Sequence, residues 1–293
     1  MLVSIIVRTL NEARHLPALF HALEHQRKHD FDVEIILVDS GSTDGTLDIA
    51  VSGGARVTRI DKADFTFGRS LNMGCAAAEG EILVFISGHC IPCHEGWLEQ
   101  LIKPIRDGMA AYTYGKQIGN GDSKFSECQL LKKYFPDVSR IPQEDFFVNN
   151  ANSALARSAW VDHPFDESLT GLEDMELGKR LVHAGQKIAY IAEACVYHLH
   201  DESWRQVKRR YEREAIALQK ILPEVQLSFA DFLRFLFSSI LLDCGAALQE
   251  RKLHKVIDEI VLFRTLQFWG AYRGNHIHRQ LSREAKYRYF YPK

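Results

Sequence analysis

Asp39 closes the aliphatic run Ile35-Ile36-Leu37-Val38 and is followed at once by Ser40-Gly41-Ser42-Thr43-Asp44-Gly45-Thr46. A strand buried on both faces reads as such an unbroken run, the mark of a parallel sheet flanked by helices. Ligand crevices in these sheets lie beyond the carboxyl ends of the strands. Asp39 therefore stands where a carboxylate can accept hydrogen bonds from a base or a ribose; a solvated loop aspartate is the plainer reading. Thr43 and Asp44 supply N-cap chemistry for the following helix. Glu173-Asp174 is a second acidic feature, and taken alone it is a helix N-terminus favoured by the macrodipole. The amides of Asn150 and Asn152 can read sugar hydroxyls or satisfy a loop backbone. Trp204 offers an aromatic face that either stacks on a sugar or simply packs. Cys90-Ile91-Pro92-Cys93-His94 has the spacing of a haem-attachment or dithiol motif. Cys75, Cys128, Cys195 and Cys244 are too scattered to complete a zinc set, so packing cysteines are expected.

The elements that must hold these residues alternate. Residues 3–7, 33–38, 55–60 and 81–86 read as strands, and 16–25, 45–52, 69–78 and 97–105 as helices. That alternation means βαβ units and a mostly parallel sheet. Gly74, Ala76, Ala77 and Ala78 suit close helix–sheet packing. From Tyr112 the pattern loosens into a mixed region, and order returns at Ala154-Leu155-Ala156. A helix over 173–183 is closed by Ala184-Gly185, and strands are expected at 188–191 and 194–198. Beyond Trp204 the chain reads as helical, over 206–222, 228–249 and 253–272.

The chain has 293 residues, room for a large core and one or two domains. Apolar content of 46% with 25% charged residues is that of a soluble globular protein. The chain opens on a strand pattern rather than a signal peptide, and the apolar stretch 229–248 is broken by Asp231, Arg234 and Asp243. A cytoplasmic location with reduced cysteines is therefore expected, which also disfavours haem attachment. Residues 205–293 hold 17 Lys and Arg against 9 Asp and Glu, whereas residues 1–204 hold 19 against 29. A basic, aromatic-rich tail either faces something anionic, such as a membrane surface, or is a solvated helical face. Nothing in the pattern points to nucleic acid.

Four segments, in this order, resemble the family-2 glycosyltransferases of the GT-A fold. They are Val7-Arg8-Thr9-Leu10-Asn11-Glu12, Val38-Asp39-Ser40-Gly41-Ser42-Thr43-Asp44-Gly45-Thr46, Phe67-Gly68-Arg69-Ser70-Leu71-Asn72-Met73-Gly74 and Gly171-Leu172-Glu173-Asp174-Met175-Glu176-Leu177. The resemblance implies that Thr9 and Glu12 line a nucleoside pocket, that Asp39 contacts the base, and that Asp174 is the catalytic base of an inverting transfer. Arg69, at a helix start, pairs with pyrophosphate in this reading. Asn150 and Asn152 resemble the segment that shapes the donor-sugar and acceptor site, beside Glu173 and Trp204.

One departure stands out. Where the family carries Asp-x-Asp, this chain has Ser87-Gly88-His89. Mg²⁺ prefers oxygen ligands, while imidazole suits Mn²⁺ or softer ions. Two outcomes stay open. Either His89 is a metal ligand, with His198 the matching second ligand or His200 beside it, or His89 and Arg69 bind diphosphate without a metal.

The expectation is thus an α/β chain of GT-A (Rossmann-like) fold, a mostly parallel sheet with helices on both faces plus a C-terminal helical region. Residues 1–204 form the nucleotide-sugar-binding and catalytic domain, and 205–293 the helical region. The expected partners are a nucleoside-diphosphate sugar and a glycan or lipid-linked acceptor of surface polysaccharide assembly. A divalent cation, Mn²⁺ or Mg²⁺, is the expected cofactor. The amphipathic tail helices fit the inner membrane face, the catalytic domain or a second subunit. A sugar-phosphate nucleotidylyltransferase would need a Gly-rich loop after the first strand, which Thr9 to Leu16 lacks. A non-catalytic nucleotide-sugar-binding protein is the other alternative.

Overall fold

The aliphatic runs become the centre of a sheet. In the computed structural model, which describes residues 1–199, 201–276 and 283–290, β1 (Leu2–Thr9), β2 (Asp32–Asp39), β3 (Arg56–Arg59) and β4 (Ile82–Ser87) run parallel in the order β3-β2-β1-β4. Val3, Ile5, Ile6, Val7, Ile36, Leu37 and Val38 are buried, as strands covered on both faces must be. The helices α1 (Leu16–Glu24), α2 (Thr46–Ser52) and α3 (Phe67–Ala77) connect them, and α4 (Trp97–Arg106) leads on to the rest of the sheet. Gly74 lets α3 approach the sheet: a Cβ there would sit 2.5 Å from Ile6 Cγ2. In-register pairing brings Thr9 opposite Asp39 and Arg8 opposite Ser87, so the three strand ends share one edge.

The other half of the sheet is mixed rather than parallel. β5 (Cys90–Pro92), β6 (Tyr112–Ile118), β7 (Asn152–Ala156) and β8 (Ile188–His198) extend it in the order β4-β7-β6-β8-β5. β7 runs antiparallel to β4 and β6, and β5 antiparallel to β8. The loosened region thus contains a strand that sequence reading left out, β6. The two short strands expected at 188–198 are one strand with an irregularity. β6 pairs in parallel with it, but the register shifts between Gly115 and Gln117. The bulge follows from close backbone approach, since a Cβ on Gly115 would lie 2.1 Å from the Ala194 carbonyl oxygen. Two further helices, α6 (Arg157–Asp162) and α7 (Glu173–His183), complete this unit, which comprises Met1–Asn120, Phe135–Ser168 and Glu173–Leu199.

The second unit is helical and consists of His200–Lys293 together with Gly121–Tyr134 and Leu169–Leu172. A single cut at 204/205 therefore leaves out two segments drawn from earlier in the chain. Its helices are α5 (Phe125–Tyr134), α8 (Trp204–Ile221), α9 (Phe229–Gln249), α10 (Leu253–Asn275) and α11 (Arg283–Phe290). Ser203 and Ser228 begin α8 and α9 with reciprocal capping boxes. Gly270 and Gly274, about one turn apart, allow the α10 backbone to touch α8; a Cβ would meet Lys208 O at 2.5 Å and Glu212 O at 2.2 Å. The buried Arg264 pairs with Asp243 through two short hydrogen bonds. Among the described residues no helix is long and apolar enough to cross a membrane.

Candidate active site

The loops after β1 and β2 are laced together by their own polar residues. Asn11 N–H donates to Ser42 Oγ, Thr43 N–H to Asn11 Oδ1, Glu12 N–H to Thr46 Oγ1 and Ala13 N–H to Asp44 Oδ2. Asp44 also accepts from the Thr46 amide and hydroxyl. The N-cap of α2 is Gly45, at φ +89°, and Asp44 just before it accepts the first helical amide, that of Thr46, while also joining the two loops. Asp39 Oδ2 accepts the Gly41 and Ser42 amides at 2.8 and 3.0 Å, with Thr9 Oγ1 at the edge of range, 3.5 Å from Oδ1. The Asp39 carboxylate is 1% exposed and shapes the turn it begins. Gly41, at φ +97°, lies under the Lys62 side chain.

Glu12 and His89 form one pair. Glu12 Oε1 is 2.7 Å from His89 Nδ1. Gly88 makes this possible, because a Cβ there would be 2.9 Å from Glu12 Cγ and 3.0 Å from Thr9 Cγ2. Pairing of β5 with β8 then delivers His198, whose Nε2 lies 3.2 Å from His89 Nε2 with the rings stacked. Two nitrogens that share one cation at about 2.1 Å are about 3.0–3.4 Å apart for angles between octahedral and tetrahedral. The imidazole pair fits such an ion. His200 lies outside the described residues, and Ser87 ends β4 beside this pair, half-buried.

Asp174 opens α7 and is buried. Its Oδ2 accepts the Asn150 amide at 2.8 Å and its Oδ1 the Met175 amide at 2.8 Å. Burial, and then the adjacent Glu173 carboxylate, push the Asp174 carboxyl up to about 7, against the pull of those amides and of Arg8. Such a value makes a carboxylate a proton acceptor near neutral pH. Glu173 itself is held by Arg8 Nη1 at 3.3 Å.

The two asparagines differ: Asn152 satisfies backbone and Trp97, while Asn150 keeps a buried Nδ2 with no hydrogen-bond partner. Asn152 is fully buried: Oδ1 accepts from Trp97 Nε1, and Nδ2 donates to Lys116 O and Ala194 O. It is a structural link between β7, β6, β8 and α4. Asn150 acts through its backbone on Asp174, and its Oδ1 accepts from Tyr112 and Ser153 hydroxyls. Arg69 follows the Thr66 N-cap of α3, its side chain about half exposed and 3.8 Å from Asp64. Trp204 starts α8 in the second unit, where Lys124 Nζ lies 5.4 Å from the ring centre.

Cys90 is buried in the sheet core, while Cys93 faces Cys195 rather than Cys90, with 3.1 Å between sulfurs. All six cysteines are free thiols.

Sequence reasoning missed Arg8, Gln117, Asn149 and Tyr112. Arg8 stood in the first motif but carried no assigned role. Gln117 Oε1 is 2.6 Å from His198 Nδ1, and Gln117 Nε2 donates to Asn149 Oδ1. Asn149 and Asn150 are neighbours, so one loop holds both the histidine pair and Asp174.

The model of glycosyl transferase family 2 matches residues 4–161. The chain belongs to glycosyl transferase family 2. The matched span carries Thr9, Asp39, Arg69, Ser87 and His89; Asp174 and His198 lie beyond it. Two relatives are O-antigen chain rhamnosyltransferases of Salmonella. RfbN of Salmonella typhimurium is 25% identical over 72% of this chain and 70% of its own length. WbaN of Salmonella anatum is 30% identical over 66% of this chain and 64% of its own length. Among solved structures, the mannosyltransferase PcManGT of Pyrobaculum calidifontis, determined with GDP-Man and Mn²⁺, shares the fold. The TM-score is 0.66 at 14% identity, covering 94% of this chain and 88% of that one. This family-2 glycosyltransferase therefore has the expected α/β GT-A fold with a C-terminal helical region.

Proposed function

We propose that this glycosyltransferase moves a sugar from a nucleoside-diphosphate donor to a hydroxyl of a glycan or lipid-linked glycan, with inversion, in surface polysaccharide assembly. The observation that carries the reading is Asp174, a buried carboxylate raised to about 7 at the edge where β1, β2 and β4 end. Asp174 removes the acceptor proton as that oxygen attacks the anomeric carbon opposite the leaving diphosphate. General-base help of this kind is worth on the order of 10²–10⁴ in rate. The interlocked β1 and β2 loops, shaped by Asp39 and Thr9, take the nucleoside end. Arg69 meets the diphosphate, with the N-terminus of α3 adding its dipole. The names of the Salmonella relatives favour O-antigen chain synthesis.

His89 and His198 are the residues that would hold a divalent cation, and such an ion would neutralise charge on the departing diphosphate. Their imidazoles favour Mn²⁺ over Mg²⁺. In this reading α9 lies in a membrane interface: Phe237, Leu241, Leu242 and Leu248 are 59–74% exposed on a helix of a basic unit. Flotation with anionic liposomes checks that part, and a wholly soluble protein contradicts it.

The test is release of nucleoside diphosphate from a panel of UDP, GDP and dTDP sugars. Wild type releases one of them in an acceptor-dependent way and Asp174→Asn does not. Equal release from both proteins, or none from wild type, overturns the assignment.

A further inference from the structure

A chain of hydrogen bonds around the histidine pair has its direction fixed from both ends. The Ala151 amide donates to Asn149 Oδ1 at 3.0 Å, so Asn149 presents its carbonyl oxygen. Gln117 Nε2 donates to that same oxygen at 3.0 Å. Its other amide atom, Oε1, is an acceptor only and lies 2.6 Å from His198 Nδ1. His198 therefore carries its hydrogen on Nδ1. At the far end, Glu12 Oε1 is a carboxylate oxygen 2.7 Å from His89 Nδ1, so His89 carries its hydrogen on Nδ1 as well. With both rings neutral, Nε2 is then the lone-pair nitrogen of each, and these two atoms lie 3.2 Å apart. Two lone pairs at that distance repel unless positive charge lies between them.

We propose that Gln117 and Glu12 are positioning residues that lock His198 and His89 as Nδ1–H tautomers, so that both Nε2 lone pairs converge on one transition-metal cation. The proposal rests on the reading of His89 and His198 as metal ligands and adds the residues that aim them. Gln117 is 1% exposed in the middle of the mixed half of the sheet. Hydrophobic packing alone would favour an aliphatic residue at such a position. A glutamine fits because it accepts from the imidazole and donates to Asn149 at once. Outer partners of this sort set ligand orientation and typically contribute 10–100-fold to metal affinity.

Mn²⁺ binding to the whole protein, followed by electron paramagnetic resonance without sugar donor, separates the possibilities. Wild type binds one ion, and Gln117→Leu and Glu12→Leu bind about 10–100-fold more weakly. Glu12→Gln, which keeps an acceptor for His89 Nδ1, recovers most of the affinity. If His89→Ala and His198→Ala bind Mn²⁺ like wild type, the metal reading fails. If those two lose the ion while a folded Gln117→Leu keeps wild-type affinity, the metal reading stands and the positioning role falls. Long-range ¹H–¹⁵N spectra of metal-free wild type need no variant at all: Nδ1–H on both rings is expected, and Nε2–H on His198 overturns the proposal.

Discussion

Arg8, next to last in β1, reaches Glu173 at the start of α7, its Nη1 3.3 Å from Oε1, while its guanidinium also lies 5.2 Å from the centre of the Phe67 ring. One cation thus ties the central strand to the helix that carries Asp174. Glu173 is almost wholly buried, and a buried carboxylate stripped of its partner is costly, about 3–5 kcal/mol. Arg8→Met is expected to lower the unfolding free energy by about 3 kcal/mol, the lower figure because Arg8 is itself partly exposed, and so to lower the denaturant midpoint. The m-value should stay unchanged. Equal midpoints for the two proteins would contradict this.

The Gly115 bulge is the tightest point of the mixed sheet. An added Cβ meets the Ala194 carbonyl at 2.1 Å and Asn152 Nδ2 at 2.4 Å. Neither can move without breaking β6–β8 pairing or the Asn152 hydrogen bonds. Gly115→Ala should destabilise by about 1–3 kcal/mol or more. Gly121→Ala, with open space around the added carbon, should stay within about 0.5 kcal/mol of wild type. Chemical denaturation of the pair gives the comparison.

Cys93 and Cys195 are poised for thiol–disulfide exchange. The Cys93 S–H, and then Lys116, hold the Cys195 thiol below its usual range, while the hydrogen bond to Cys195 and burial push Cys93 up. Attack by Cys195 is the order expected. With oxidised glutathione Cys195 forms a mixed disulfide, Cys93 displaces the second glutathione, and two reduced glutathiones leave. Mass spectrometry should show a loss of about 2 Da and a linked peptide pair; Cys93→Ser should stop at the mixed disulfide. A crosslink through the buried Cys90 would contradict the geometry.

What the sequence disclosed follows from how each element is stabilised. β1, β2 and β4 are buried on both faces by sequence-local aliphatic runs, and α7 has acidic residues at its start and Ala184-Gly185 at its end. Those elements stand close to where periodicity puts them. β6 is different: Tyr112-Thr113-Tyr114-Gly115-Lys116-Gln117-Ile118 is buried through distant polar partners, as when Thr113 Oγ1 donates to Leu101 O. β8 looked broken because the chain bulges beyond Ile191, where its β6 partners shift register. The site divides in the same way. Asp39 and Asp174 sit at motif positions legible from the resemblance to family 2, and His89 stands where that family's motif is broken. Gln117 acts on His198 from 81 residues away, and no local pattern marks it. Asn152 has the right residue type for a sugar contact and is buried for structural reasons.

Asp174 is a base tuned by burial and by Glu173 in the proposed reaction. Asp174 must be ionised to take a proton, so kcat/KM should fall as pH drops below a limb near pH 7. Glu173→Gln removes the neighbouring negative charge, the second cause of the upward shift, and should move that limb to lower pH. The decisive measurement is kcat/KM from pH 5 to 9 for wild type, Glu173→Gln and Asp174→Asn with the donor that wild type uses. A limb near 7, its acid shift in Glu173→Gln, and a loss of about 10²-fold or more in Asp174→Asn are expected. A wild-type profile flat across that range, with Asp174→Asn retaining its rate, would contradict this role.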